Sequence, residues 1–151
     1  MAFSHSVVEK LTYTAGGQSP TTTNSYTKTG GAEINLSEEV VTSNPITTAT
    51  TIAGFNGPDT AANTQSLIFQ WDQTDAQSTA ASVPSGYLKD QGGNLICNLV
   101  RGEPFIWVEG NDTKWGSNPL TNAITALDFE AHTGGAVTAT GTLTARVLYE
   151  P

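Results

Sequence analysis

The last segment of the chain alternates apolar and hydroxyl side chains over residues 137–149. The apolar series is Val137, Ala139, Leu143, Ala145, Val147 and Tyr149, and it alternates with Thr138, Thr140, Thr142, Thr144 and Arg146. Because successive side chains of a strand point to opposite faces, this pattern predicts one long strand with an apolar face and a Thr-rich face. Gly141 in its middle predicts a bulge or the close approach of another backbone.

Apolar and polar residues also alternate in earlier segments of the chain, and clusters of Gly, Pro and Asn separate these segments. The alternating segments are 7–14, 32–36, 46–52, 67–71, 95–99, 105–108 and 124–131, followed by the closing segment. The segment from Asp72 to Ser82 lacks an apolar stripe, so we expect a loop there and no helix longer than two turns anywhere. About eight strands spaced roughly 10–20 residues apart are typical of a sandwich or barrel. The sequence therefore predicts an all-β, antiparallel β-sandwich.

The alternation also predicts which side chains fill the core. The expected core positions are Ile34, Leu67, Phe69, Leu95, Cys97, Leu99, Phe105, Leu143 and Val147. The four Thr residues of the last segment should lie on the opposite face. The chain has a single cysteine, so no intrachain disulfide can form, and an apolar run around Cys97 favours a buried thiol.

Length and charge limit the class of protein. The chain has 151 residues without a fixed repeat or a shift in composition, so we expect one domain over 1–151. The chain has six basic and 14 acidic residues, so its net charge is -8. This charge repels nucleic-acid phosphates and anionic lipids. We therefore expect neither nucleic acid nor a membrane as partner. The N-terminus lacks the features of a secretory signal, which predicts synthesis in a cytoplasm.

The chain has few residues of the types that act in catalysis, and their spacing matches no catalytic motif. The only histidines, His5 and His132, lie in no nucleophile motif. Glu38 and Glu39 are adjacent in a predicted strand, so their carboxylates should point to opposite faces and cannot flank one bond. No metal-binding spacing is present. We expect no catalytic residue, no cofactor and no metal site, and hence a protein that is not an enzyme.

The three tryptophans differ in their surroundings. Trp71 and Trp107 lie in alternating segments and are expected in the core. Trp115 lies in the polar segment 109–116, which predicts an exposed aromatic ring. Such a ring can stack on a sugar or anchor a protein interface. Trp115 is therefore the candidate contact residue for a ligand or partner.

Three segments carry a resemblance to a known group of proteins. Residues 29–40, residues 101–107 and the closing alternation that ends at residues 147–149 resemble segments of small β-sandwich virion proteins of tailed bacteriophages. Capsid decoration (cement) proteins belong to that group. The resemblance implies a jelly-roll-like sandwich, a homotrimer, the capsid surface of the virion as location, and the major capsid protein as partner. It assigns no site residues.

Two hypotheses of function follow. The first is a structural virion protein that binds the outer capsid surface and stabilises the particle. The second is a carbohydrate-binding or receptor-binding module of a tail or fibre tip that uses Trp115. Binding to assembled capsids at a near-stoichiometric ratio would favour the first, and binding to glycans would favour the second.

Overall fold

The computed structural model describes residues 1–12, 14, 16–43, 50–52, 63–73, 86–110, 112–120, 124–131 and 138–151. These residues form ten strands and a single-turn helix. The elements are β1 (Phe3–Thr12), β2 (Thr21–Gly30), β3 (Ala32–Ser43), β4 (Thr50–Ile52), β5 (Thr64–Gln73), β6 (Gly86–Asp90), β7 (Leu95–Leu99), β8 (Phe105–Val108), α1 (Asp112–Trp115), β9 (Leu127–Ala131) and β10 (Thr138–Tyr149).

Eight of the strands build two four-stranded sheets, in the orders β3-β10-β5-β8 and β4-β9-β6-β7, and every described pairing is antiparallel. Counted from β3 as strand 1, these orders are 1-8-3-6 and 2-7-4-5. This is the order produced when two Greek keys form a jelly roll. The prediction of an all-β, antiparallel, jelly-roll-like sandwich is confirmed, while one domain over 1–151 stays a prediction.

Two strands, β2 and β6, are missing from the predicted segments; on the buried face of β6, Leu88 lies between Gly86 and Asp90, so no apolar alternation marks it. The remaining strands, β1 and β2, pair only with each other among the described residues, and β2 is a polar strand that the alternation did not indicate. The only described helix, α1, has four residues, in accord with the expected absence of long helices. The expected loop begins later than predicted, because Asp72 and Gln73 belong to β5, and residues 74–82 lie outside the described residues.

The closing segment forms β10, the central strand that pairs with β3 on one side and β5 on the other. Leu143, Ala145 and Val147 are fully buried on its core face. The pairing with β3 passes Gly141 without a shift, and the irregularity lies instead between Leu148 and Tyr149 in the pairing with β5. The bulge predicted at Gly141 is therefore wrong, and the alternative, the close approach of another backbone, stays a prediction.

Most of the predicted core is confirmed. The buried members are Leu67, Phe69, Cys97, Leu99, Leu143 and Val147, and Ile34 and Phe105 are partly buried against the same cluster. Trp71 and Trp107 are also buried, and the Trp71 ring lies 4.6 Å from that of Phe129, centroid to centroid. Thr140, Thr142 and Thr144 are half-buried on the other face. The side chain of Thr138 lies outside the described residues.

Leu95 is the exception, because its side chain is 54% exposed. Leu88 pairs with Cys97 and Lys89 pairs with Leu95, so Ile96 is an extra residue in β7. This bulge interrupts the alternation, and both Ile96 and Cys97 are buried. The core prediction for Leu95 is wrong because strict alternation does not continue through a bulge.

We expect Leu99→Ala to lower the free energy of unfolding by about 2–5 kcal/mol, because it opens a cavity in the core. Leu95→Ala is the matched control and should change it by less than about 0.5 kcal/mol, as an exposed site. Urea denaturation followed by Trp fluorescence measures both values. Equal losses in the two variants would contradict the bulge.

Burial raises the pKa of the Cys97 thiol to about 12. The folded state therefore keeps the thiol protonated where the unfolded state ionises it. The stability that this group contributes is present below its ordinary pKa of 9.0 and is lost as the pH rises toward 12.

We expect no reaction of the native protein with an aromatic disulfide reagent at about pH 8, and reaction of one thiol per chain after unfolding in urea. Rapid reaction of the native protein would contradict the burial of Cys97.

Candidate functional site: the hairpin arm

The feature that stands apart from the sandwich is the hairpin of β1 and β2, called the hairpin arm here. Its strands pair from Phe3 opposite Gly30 to Thr12 opposite Thr21. Gly16 and Gly17 in the connection have φ values of 60° and 78°, which favour glycine. Each strand has one backbone edge that no other described strand pairs with.

At its base, the hairpin arm packs on the outer face of the β3-β10-β5-β8 sheet. A Cβ atom on Gly30 would lie 2.8 Å from the carbonyl oxygen of Tyr149 and 2.9 Å from Cγ of Leu148, so only glycine fits there. Val7, Val108 and Leu148 are buried but do not belong to the main core cluster. Leu148 follows Val147 in β10 and so lies on the face away from the core. These residues show a second, smaller apolar layer beneath the arm.

His5 links the hairpin arm to two strands of the sheet. Its Nδ1 atom lies 2.9 Å from Oγ of Ser66 in β5, and its Nε2 atom lies 2.9 Å from Oε1 of Glu33 in β3. A hydroxyl, an imidazole and a carboxylate in a row also occur in hydrolases. Ser66 is only 1% exposed, however, so a substrate cannot reach its hydroxyl in this arrangement. The contacts attach the arm to the sheet.

A second attachment lies farther along the hairpin arm, around Lys114 of α1. Its ammonium group donates to the carboxylate of Glu9 and, over 3.1 Å, to the hydroxyl of Tyr26. It also lies 4.8 Å from the centroid of the Tyr26 ring and 4.9 Å from that of the Trp115 ring. The hydrogen bond to Glu9 is the main cause that raises the pKa of Lys114, and Tyr26 adds to it. Lys114 is thus a cation held between two aromatic rings and a carboxylate.

Trp115, the candidate contact residue, is half-buried and packs partly against the main core, so the predicted exposure of its ring is wrong. Its ring meets that of Tyr26 edge to face, with centroids 6.0 Å apart and an interplanar angle of 81°. The segment is held by Trp107, whose Nε1 donates to the carbonyl of Gly116 over 3.0 Å. The structure therefore brings Trp115 to the hairpin arm, and its contact with a ligand or partner stays a prediction.

The order of these contacts gives the direction of the hairpin arm. Gly30 lies on β10, His5 reaches β3 and β5, and Lys28 donates to Glu109, just after β8, over 2.8 Å. Lys114, which binds Glu9, follows β8 on α1. The arm therefore crosses the sheet from the β3 side to the β8 side.

The arm tip, defined as residues 10–25, continues beyond these attachments. None of its described residues is buried. Leu11 is 69% exposed, and Val8, next to the tip, is 60% exposed. The tip is thus a two-stranded ribbon without cover from the described part of its own sandwich.

One face of the hairpin arm is an array of hydroxyl groups. Beside Val8 and Lys10, the register places on this face the hydroxyl residues Ser4, Ser6, Thr12, Thr21, Thr23, Ser25, Thr27 and Thr29. Hydroxyls of opposite strands hydrogen-bond to each other in two pairs, Ser6 with Thr27 over 3.3 Å and Thr12 with Thr21 over 3.0 Å. Because each hydroxyl can donate and accept, this face suits polar contact with another surface.

The other residues weighed from the sequence are not brought together. Glu38 and Glu39 are exposed on β3, and Asp72 accepts hydrogen bonds from Gln70. His132 lies outside the described residues. Among the residues that the structure describes, no three His, Cys, Asp or Glu side chains are grouped to hold a metal ion, and no helix is long and apolar enough to cross a membrane.

Comparison of the chain with protein-family models, with curated proteins and with solved structures found no match.

We expect Lys114→Gln to loosen the hairpin arm from the sandwich, because it removes a cation bound to Glu9, Tyr26 and Trp115. Amide hydrogen exchange in β1 and β2 should become about fivefold faster, with no change in β10. Lys89→Gln is the control, since Lys89 forms its ion pair with Glu130 within the sandwich. Unchanged exchange in β1 and β2 would show that this cluster does not hold the arm.

Proposed function

We propose that this protein is a structural virion protein, a capsid decoration (cement) protein that binds the outer capsid surface and stabilises the particle. The observation that carries the proposal is the exposed arm tip on a jelly-roll sandwich. The resemblance to small virion proteins of tailed bacteriophages points in the same direction. The proposed partner is the major capsid protein, and the proposed assembly of the chain is a homotrimer.

The arm tip has the properties of a surface that requires a partner. A two-stranded ribbon in water is marginally stable at best, and its free backbone edges are sites for strand addition. Leu11 and Val8 add exposed apolar area to these edges. Val8 and Leu11 point to opposite faces of β1, so contact with a neighbouring protein would bury one of these side chains, and strand addition would satisfy the free backbone groups.

Stabilisation of the particle follows from linkage. A protein that binds the assembled lattice and not its separated subunits stabilises the lattice by its binding free energy, multiplied over many copies. Charged residues make up only 13% of the chain, so hydrogen bonds and apolar contacts should dominate the docking. Such binding resists salt, because screening acts on charges.

The alternative function is a carbohydrate-binding or receptor-binding module, and jelly rolls also occur in lectin domains. In that case Trp115 would provide the aromatic platform. Its ring already contacts Tyr26 and Lys114. Binding to glycans would distinguish this alternative from binding to a capsid.

We expect the purified protein to bind undecorated particles at a near-stoichiometric ratio and to raise their disassembly temperature. Leu11→Asp should weaken this binding about tenfold or more, because it places a carboxylate in the contact. Leu95→Asp is the matched control, an exposed leucine on the sandwich, and should bind as the unchanged protein does. Binding should persist in about 0.5–1 M salt, where the Debye length is about 3–4 Å.

Particles whose disassembly temperature is the same with and without the protein would contradict the proposal. Binding to a glycan array that Trp115→Ala abolishes, without binding to particles, would establish the alternative function. A hydrolytic activity that follows the purified chain would contradict both.

A further inference from the structure

We infer that the arm tip of one copy docks along the outer edge of β3 in a second copy, so that copies join head to tail in a closed ring. The inference rests on the homo-oligomer of the proposed function and names the surfaces that form it. It does not require that the oligomer binds a capsid.

Positive and negative charges are separated along the chain. Residues 10–32 contain two basic residues, Lys10 and Lys28, and no acidic residue. The rest of the chain therefore holds the other four basic residues and all 14 acidic ones, so a segment of charge +2 is joined to a remainder of charge -10. Lys28 is bound to Glu109 of its own chain, which leaves Lys10 as the cation of the tip. A second copy of the same acidic chain offers the complementary charge.

The outer edge of β3, which we infer receives the tip, is an unpaired and acidic edge of the described sheet. β3 is the last strand on its side of the sheet, and among the described residues no strand pairs with its outer edge. Glu38 and Glu39 are exposed on this long strand. Glu38 lies in the same alternating series as the buried Val40, so it is a charge on the core-facing side of an edge strand. Such charges discourage pairing with unrelated strands, whereas a strand that carries a suitably placed lysine would neutralise them.

The direction of the hairpin arm prevents its tip from docking on β3 of the same copy. The hairpin arm crosses the sheet from β3 toward β8, so its tip lies beyond the edge opposite to β3. Only Gly31 separates β2 from β3, so the base of the arm is fixed at the start of β3. The tip and its receiving edge therefore lie on opposite sides of one molecule. A contact between unlike surfaces is heterologous, and it generates a ring when the rotation between copies closes.

The contact itself would be strand addition. The outer edge of β1 pairs with the outer edge of β3, with Lys10 near Glu38 or Glu39. Leu11 points to the opposite face of the added strand, so it stays available for the proposed contact with the capsid. The tip spans 16 positions, below the roughly 20–30 residues that each side of a standard interface contributes. One such contact is weak, and ring closure gives every copy two of them.

The test is a charge exchange followed by sedimentation velocity over a range of protein concentrations. The unchanged protein should form a closed oligomer of three or more copies. Lys10→Glu alone, and Glu38→Lys with Glu39→Lys, should each weaken association by about tenfold or more through like-charge contact. The three changes together should restore association. Glu103→Lys, an exposed charge reversal on the turn before β8, is the control and should assemble as the unchanged protein does.

Circular dichroism and thermal melting show that each variant is folded, since all the altered side chains are exposed. A monomer at every concentration, a two-fold dimer, or single-site variants that assemble normally would overturn the inference. Failure of the triple variant to restore association would also overturn it. Particle binding by a monomeric protein would overturn the ring and leave the proposed function intact, so the two failures are distinguishable.

Discussion

The two-sided pairing of β10 is the interaction on which the rest of the structure depends. This strand joins the first strand of the sandwich, β3, to the third, β5, and its core face lies against the main apolar cluster. Strands that are distant in sequence, β3 and β10, are thus fixed side by side, and this pairing sets the 1-8-3-6 order of the sheet. The alternating sequence of β10 up to Val147 suits this position, because each residue must face either the core or the outer surface.

The outer face of the same sheet explains why the chain carries a hairpin outside the sandwich. Leu148 and Val108 lie on that face near the ends of β10 and β8, where they would be exposed without the hairpin arm. The arm covers them and provides polar partners for the buried Ser66. Because this cover uses only the base of the arm, the tip remains free for contact with another molecule.

This division between base and tip links the fold to the proposed function. The base is held by His5, by the ion pair of Lys28 and by the Lys114 cluster, so the tip projects from a fixed direction. A fixed direction lowers the entropy lost when the tip binds a partner. The acidic sandwich and the tip that carries Lys10 then form two complementary surfaces on each copy.

The sequence by itself determined the fold class and most of the core, because alternation is a local property that each strand displays on its own. It failed where a neighbouring strand decides the orientation, as at Leu95, where the extra residue Ile96 is visible only in the pairing of β6 with β7. It also missed the attachment of the hairpin arm, since His5 meets Glu33 and Ser66 across 28 and 61 positions of sequence. The polar segment around Trp115 predicted an exposed ring, but the ring is half-buried because the crossing of the arm over the sheet brings Tyr26 against it. Contacts between distant segments were decided only by the tertiary structure, because they depend on how elements pack and not on the period of any one of them.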